Sequence, residues 1–147
     1  MLLIGNGRLI TRSQTNPYLE DGAVVLDGEA VRETGTLTAL RAKYPQARFV
    51  DARGGVIMPG LINVHTHIYS GLARGLAIDG FHPTNFFEVL DGQWWNIDRH
   101  LTLDGTRACA YATILDCIRD GVTTIFDHHA SFGEIPGSLF AIKDVCA

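Results

Sequence analysis

The sequence has no disulfide framework, no basic block and no membrane-length apolar run, and each gap removes a class of protein. Only three cysteines occur, Cys109, Cys117 and Cys146, with no CxxC pair among them. That odd, dispersed set excludes a stapled secreted scaffold and a zinc knuckle, and reads as reduced, buried thiols of a cytoplasmic protein. Twelve lysines and arginines stand against 16 aspartates and glutamates, a net charge of −4 with both signs scattered. Nothing in that balance attracts nucleic acid or an anionic membrane. No apolar stretch approaches the roughly 20 residues of a membrane span. The first residues lack the basic start, apolar stretch and small-residue cleavage site of a signal peptide. What is present, 46% hydrophobic and 19% charged residues over 147 positions, is enough for a folded core.

Residues 1–55 read as short strands joined by turns. Segments 2–4 and 8–11 flank Gly5-Asn6-Gly7, a hairpin signal, and segments 23–26 and 30–33 flank Asp27-Gly28-Glu29, a second one. A nucleotide-binding reading of Gly5-x-Gly7 fails, because no third glycine follows at the required spacing and no helix opens there. A short helix is expected from Thr36 to before Pro45, with Leu37, Leu40 and Tyr44 on one face, then a strand over 48–51. None of this carries chemistry.

After Gly54-Gly55 the character changes. A buried strand is expected over 56–68, interrupted at Pro59-Gly60. Helices are expected over 84–98, with Pro83 near the first turn, and over 104–120, capped by Thr102. In the second, Ala108, Tyr111, Ala112, Leu115 and Ile118 recur at helical spacing and Gly121 is the stop. A β-branched strand over 122–127, a Gly/Pro loop over 130–137 and a helical pattern from Ser138 follow. Strand, helix, strand, helix is the grammar of a parallel α/β sheet. A parallel barrel takes about 250 residues and eight strands; two strands and no internal repeat are found here. The expectation is therefore the amino-terminal part of a longer protein, with a β-rich segment over 1–55 and the start of a barrel domain over 56–147.

Chemistry concentrates at the end of the first barrel-type strand. Side chains at i and i+2 of a strand share a face, about 6.6 Å apart along the chain. His65 and His67 therefore project with Asn63, while Ile62, Val64 and Ile68 take the other face and can pack under covering helices. Two imidazoles so placed can share one cation at about 2.0–2.1 Å each; the plainer alternative is two histidines bonded to neighbours. Position at the carboxyl end of a strand, where parallel α/β proteins place their chemistry, favours the metal. His128 and His129 follow the second strand as candidate substrate contacts, and alternation lets only one of them point inward, which the sequence leaves open. Trp94 is a further candidate substrate contact, though packing or an interface is the more ordinary use of the Trp94-Trp95 pair. His82, His100, Asp79, Asp91 and Asp98 receive no role, and the three aspartates are expected to be solvated.

The run Pro59-Gly60-Leu61-Ile62-Asn63-Val64-His65-Thr66-His67 resembles the first-strand metal motif of the amidohydrolase superfamily. Segment 120–127, Asp-Gly-Val-Thr-Thr-Ile-Phe-Asp, resembles that family's second-strand signature, and Arg74-Gly75 its continuation after the metal motif. The β-rich segment ending in Val56-Ile57-Met58 resembles the small sandwich domain beside the barrel. The match is closest to the cytosine and guanine deaminase and triazine hydrolase branch, with segments 69–75 and 127–131 and the Trp94-Trp95 pair contributing. The resemblance implies an α/β fold, the first two β/α units of a (β/α)8 TIM barrel after a small β-sandwich-like segment. It also implies one divalent metal, zinc or alternatively iron, that activates water for attack on an sp2 carbon bearing an amino or other leaving group. The family's remaining ligands, histidines after strands five and six and an aspartate after strand eight, have no counterpart in this chain. Only His65 and His67 carry over as metal ligands. The implied substrate is a small purine- or pyrimidine-like heterocycle, and a full-length protein would be a homo-oligomer. Two alternatives stand: an inactive fragment serving as a weak metal-binding or interaction module, and a related chlorohydrolase or ring-opening hydrolase.

Overall fold

The computed structural model describes residues 1–147. It divides into two compact units, Met1–Pro59 and Gly60–Ala147. No helix is long and apolar enough to cross a membrane.

The first unit is a five-stranded sheet with one helix. Strands β1 (Leu2–Ile10), β2 (Tyr18–Asp27), β3 (Ala30–Thr36) and β4 (Arg48–Asp51) lie in the order β3-β2-β1-β4, and β5 (Val56–Ile57) also pairs with β1. Helix α1 (Leu37–Lys43) is capped by Thr36, whose hydroxyl accepts from the Ala39 amide. It sends Leu40 into a core with Leu3, Ala23 and Val25, against which Leu37 and Tyr44 pack. The Asp27-Gly28-Glu29 turn is present, with Asp27 paired to Ala30 and Gly28 at φ +60.

The Gly5-Asn6-Gly7 hairpin is not. Residues 2–10 form one continuous strand, and the register passes from Ile4↔Val24 to Gly7↔Gly22, so one extra residue of β1 bulges out. Asn6 takes the left-handed conformation at φ 58 and its amide donates to Asp51 Oδ1 at 2.6 Å. A Cβ on Gly7 would lie 2.7 Å from the Gly55 carbonyl oxygen, so the dipeptide signal here marks a close backbone approach.

The expected interrupted strand over 56–68 becomes two strands in different sheets, because Val56 and Ile57 pair with β1 whereas β6 (Leu61–Thr66) pairs in parallel with β7 (Val122–Asp127). The β6–β7 sheet belongs to the second unit. Gly60 allows close packing there, since a Cβ on it would sit 2.2 Å from Thr123 Oγ1. Between the two strands run a 3-10 turn (Ile68–Ala73), α2 (Phe86–Val89), a π turn (Leu90–Trp94), α3 (Trp95–His100) and α4 (Leu103–Arg119). Helix α5 (Ser138–Cys146) follows β7. Thr102 caps α4 by accepting from the Gly105 amide at 3.0 Å, and Gly121 at φ +73 ends it.

Ile68, Ala110 and Ile142 form the buried centre of this unit, with Ile114, Ile125 and Val145 packed around them. Two expected apolar faces lie elsewhere than in that core. Ile62 and Val64 on β6 are exposed, Val64 at 75%. On α4 the stripe Tyr111, Leu115 and Ile118 is exposed, while Thr106, Cys109, Ala110 and Cys117 are buried. The close approach of the 3-10 turn selects the small-residue face: a Cβ on Gly71 would stand 2.8 Å from the Cys109 carbonyl oxygen.

Candidate metal centre and aromatic cleft

The site is built on the ends of β6 and β7. The Leu61 amide donates to the Gly121 carbonyl at one end of the pair, and the His128 amide to the Thr66 carbonyl at 2.9 Å at the other. That second bond sets His128 beside His67. The His67 Nδ1 atom lies 3.0 Å from the His128 carbonyl oxygen, and since a carbonyl only accepts, Nδ1 carries the proton. The lone pair of neutral His67 is thus on Nε2, which stands 3.2 Å from His65 Nε2. Two nitrogens held about 2.0–2.1 Å from a tetrahedral ion would be about 3.3 Å apart. The pair fits a divalent cation in separation and in donor chemistry, and the His67 tautomer is the one a metal needs. No third His, Cys, Asp or Glu side chain joins them to complete a ligand group. Asp127 Oδ1 is already engaged by the Ile68 amide at 2.8 Å.

Two cavities meet at His67 and Trp94. One is lined by Asn63, His65, Arg74, Gln93, Thr113 and Asp116 among others, with Arg74 Nη2 bridged to Asp116 Oδ2 at 2.5 Å. The second, of about 540 Å³, is walled by Phe86, Leu90, Trp94, Trp95 and Phe132, with Tyr69, Asp98 and His128 as its polar groups. The π turn delivers Trp94 to the boundary, its ring centroid 6.5 Å from that of His67. Such single π turns recur at functional sites.

The two histidines after β7 go to different places. The His128 ring is 5.2 Å from that of His67 and faces the aromatic cavity. The His129 ring is stacked edge-on against Tyr69 at 5.5 Å, and both its nitrogens are buried without partners. Burial lowers the His129 pKa below the usual imidazole value. His82 and His100 are exposed, and His100 Nδ1 contacts the Asn96 carbonyl of its own helix.

Asp98 overturns an expectation. It is 4% exposed rather than solvated, and Tyr69 beside it is buried as well. Burial pushes the Asp98 carboxyl above its ordinary value, against the opposing pull of Tyr69, His67, His129 and Arg99. Burial, and then the adjacent Asp98, likewise raises the Tyr69 phenol. The sign for stability follows directly. A folded-state pKa above the unfolded 3.8 means that the folded chain holds a proton the unfolded chain has released. Stability contributed by this group is therefore full below that value and is lost as pH rises through the raised folded pKa. Asp98→Asn is expected to melt at a higher temperature than the wild type wherever Asp98 is ionised, with the gap widest at the alkaline end of the range and closing as acid protonates Asp98. Thermal melts from about pH 3 to about pH 8 check this; a lower melting temperature for the variant at every pH would refute it.

The amidohydrolase family profile matches residues 56–144. The chain belongs to the amidohydrolase family. A bacterial imidazolonepropionase-like composite domain profile also matches residues 22–47 of this amidohydrolase. Among its relatives, the 5-methylthioadenosine/S-adenosylhomocysteine deaminase of Syntrophobacter fumaroxidans is 35% identical, over 86% of this chain and 28% of its own length. The 5'-deoxyadenosine deaminase of Methanosarcina mazei is 30% identical, over 90% of this chain and 29% of its own length. Atrazine chlorohydrolase TrzN from Arthrobacter aurescens TC1, solved with zinc, superposes with a TM-score of 0.77 at 28% identity, covering 99% of this amidohydrolase and 33% of that chain. E. coli guanine deaminase shares the fold, at a TM-score of 0.78 and 21% identity. The chain thus spans about a third or less of the proteins it matches. The mixed α/β fold and the deaminase and triazine hydrolase branch expected from the sequence are both borne out.

Proposed function

We propose that this amidohydrolase contributes the first metal ligands and part of the substrate wall of an aminohydrolase, which hydrolyses a carbon–nitrogen bond of a small heterocycle. The observation that carries this reading is the convergence of His65 Nε2 and His67 Nε2 to 3.2 Å, with His67 oriented by the His128 carbonyl. Deaminases of adenosine derivatives among the relatives and zinc in TrzN support it. The cation is zinc, with iron as the alternative; when bound, it lowers the pKa of a water toward neutrality. His65 and His67 hold that cation, His128 fixes the tautomer of His67 through its main chain, and Trp94 and Trp95 offer flat faces to an aromatic ring. The first unit then serves as the small composite domain and the second as the start of the catalytic barrel, in a protein of the cytoplasm that forms homo-oligomers when full length.

A second reading is favoured by the absence of any three-residue ligand group: a metal-binding module without turnover. Catalytic zinc keeps three protein ligands, and two leave it loosely held. Zinc-loaded chain incubated with 5'-deoxyadenosine separates the two. Ammonia release above the metal-free control supports the aminohydrolase reading for this chain; zinc retention without ammonia supports the module. A chlorohydrolase or ring-opening reaction on the same scaffold would show as product formation from a chlorotriazine or a cyclic amide, since fold alone does not fix the chemistry.

A further inference from the structure

Asp98 is the one carboxylate of the second unit that is both buried and open to a cavity. It is 4% exposed, its Oδ1 has no hydrogen-bond partner, and it lines the aromatic cavity beside Tyr69, Trp94, Trp95 and His128. An acceptor buried without a donor is costly, and native folds keep such groups where something else supplies the donor. The walls around it are mostly aromatic and apolar, which suits a flat ring. We propose that Asp98 accepts a hydrogen bond from an amino group on a planar nitrogen heterocycle lying against Trp94, and so selects amino-substituted rings over their methyl isosteres. This deepens the aminohydrolase reading and rests on it for the cavity's role as a substrate site. Four other aspartates of the second unit do not compete for that role. Asp127 is engaged by a backbone amide, Asp116 is bridged to Arg74 in the other cavity, and Asp79 and Asp91 are exposed.

The test uses melamine and 2,4,6-trimethyl-1,3,5-triazine, rings of one shape that differ in carrying amino or methyl groups. Trp94 and Trp95 are the only two tryptophans and both line the cavity, so quenching of their fluorescence reports binding to the intact metal-free chain. The wild type is expected to bind melamine at least about tenfold more tightly than the trimethyl isostere, since the isostere leaves a buried acceptor unsatisfied. In Asp98→Leu that preference should fall to within about twofold, and in Asp98→Asn to an intermediate value. Equal wild-type affinities, no quenching by melamine, or a full preference retained in Asp98→Leu would overturn the assignment. The wild-type comparison stands even if a variant fails to fold. Zinc binding measured on the same preparations keeps the two readings apart. Loss of zinc uptake with the melamine preference intact removes the metal reading alone, and the converse removes Asp98 alone.

Discussion

Alanine at both His65 and His67 abolishes the specific uptake of zinc by the chain; that is the expected result of titrating wild type and variant by calorimetry near neutral pH. The wild type should take up one equivalent. The geometry makes the effect large. The two Nε2 atoms are already at the spacing a shared ion requires, and the His67 ring is held by a main-chain acceptor rather than by a side chain free to turn away. Single substitutions should each cost more than the roughly 10–100-fold that follows when only an outer partner of a ligand is lost, because one imidazole is a poor site. His82→Ala, far from the pair in sequence and exposed, should change nothing. Undiminished one-to-one binding in the double variant would mean that the ion sits elsewhere, and that the 3.2 Å contact is an imidazole–imidazole hydrogen bond with His65 as donor.

The second large effect is on stability. Leu3→Ala is expected to destabilise the first unit by about 2–5 kcal/mol, the cost of a cavity left by a fully enclosed leucine. Leu3 is 1% exposed in a core of four buried residues that includes Leu40 at 2%. A domain holds only about 5–15 kcal/mol in total, and this sheet has a small core, so the loss is a large share. Hydrogen exchange of the amides of β1 to β4 measures it, as a fall in protection across the sheet. Val31→Ala, at a side chain 64% exposed on β3, should stay within about 0.5 kcal/mol of the wild type. Equal effects for the two substitutions would show that the core is not where the structure puts it.

What could be read from sequence followed local rules. The His65 and His67 pair, the helix opening at Thr36, the Thr102 cap, the Gly28 turn and the β7 strand each depend on a few neighbouring residues, and all of these patterns appear in the fold. The misreadings needed partners that the sequence does not display. Gly5-Asn6-Gly7 looked like a turn because such residues suit one, but β1 has β2 on one side and β4 and β5 on the other, and a bulge satisfies all three. Asp98 looked solvated because its spacing from Asp79 and Asp91 makes no carboxylate pair, and an unpaired aspartate is ordinarily exposed. The π turn at Leu90–Trp94 inserts an extra residue into the winding, so later side chains are rotated by about 100° from the regular pattern. Its polar neighbour Tyr69 also lies almost thirty positions earlier in the chain. The apolar stripe of α4 was correctly periodic and still exposed, since periodicity finds a face without saying what covers it.

The bond from His67 to the His128 carbonyl separates two kinds of information stored at one position. Every amino acid brings a main-chain oxygen to position 128, so replacing the histidine ring alters the cavity wall and leaves the orientation of His67 in place. Side-chain mutagenesis is therefore blind to this latch. What it answers to is the path of the backbone at the end of β7, and a change that slips β7 against β6 would misaim the proposed metal ligand without touching a single residue of the site.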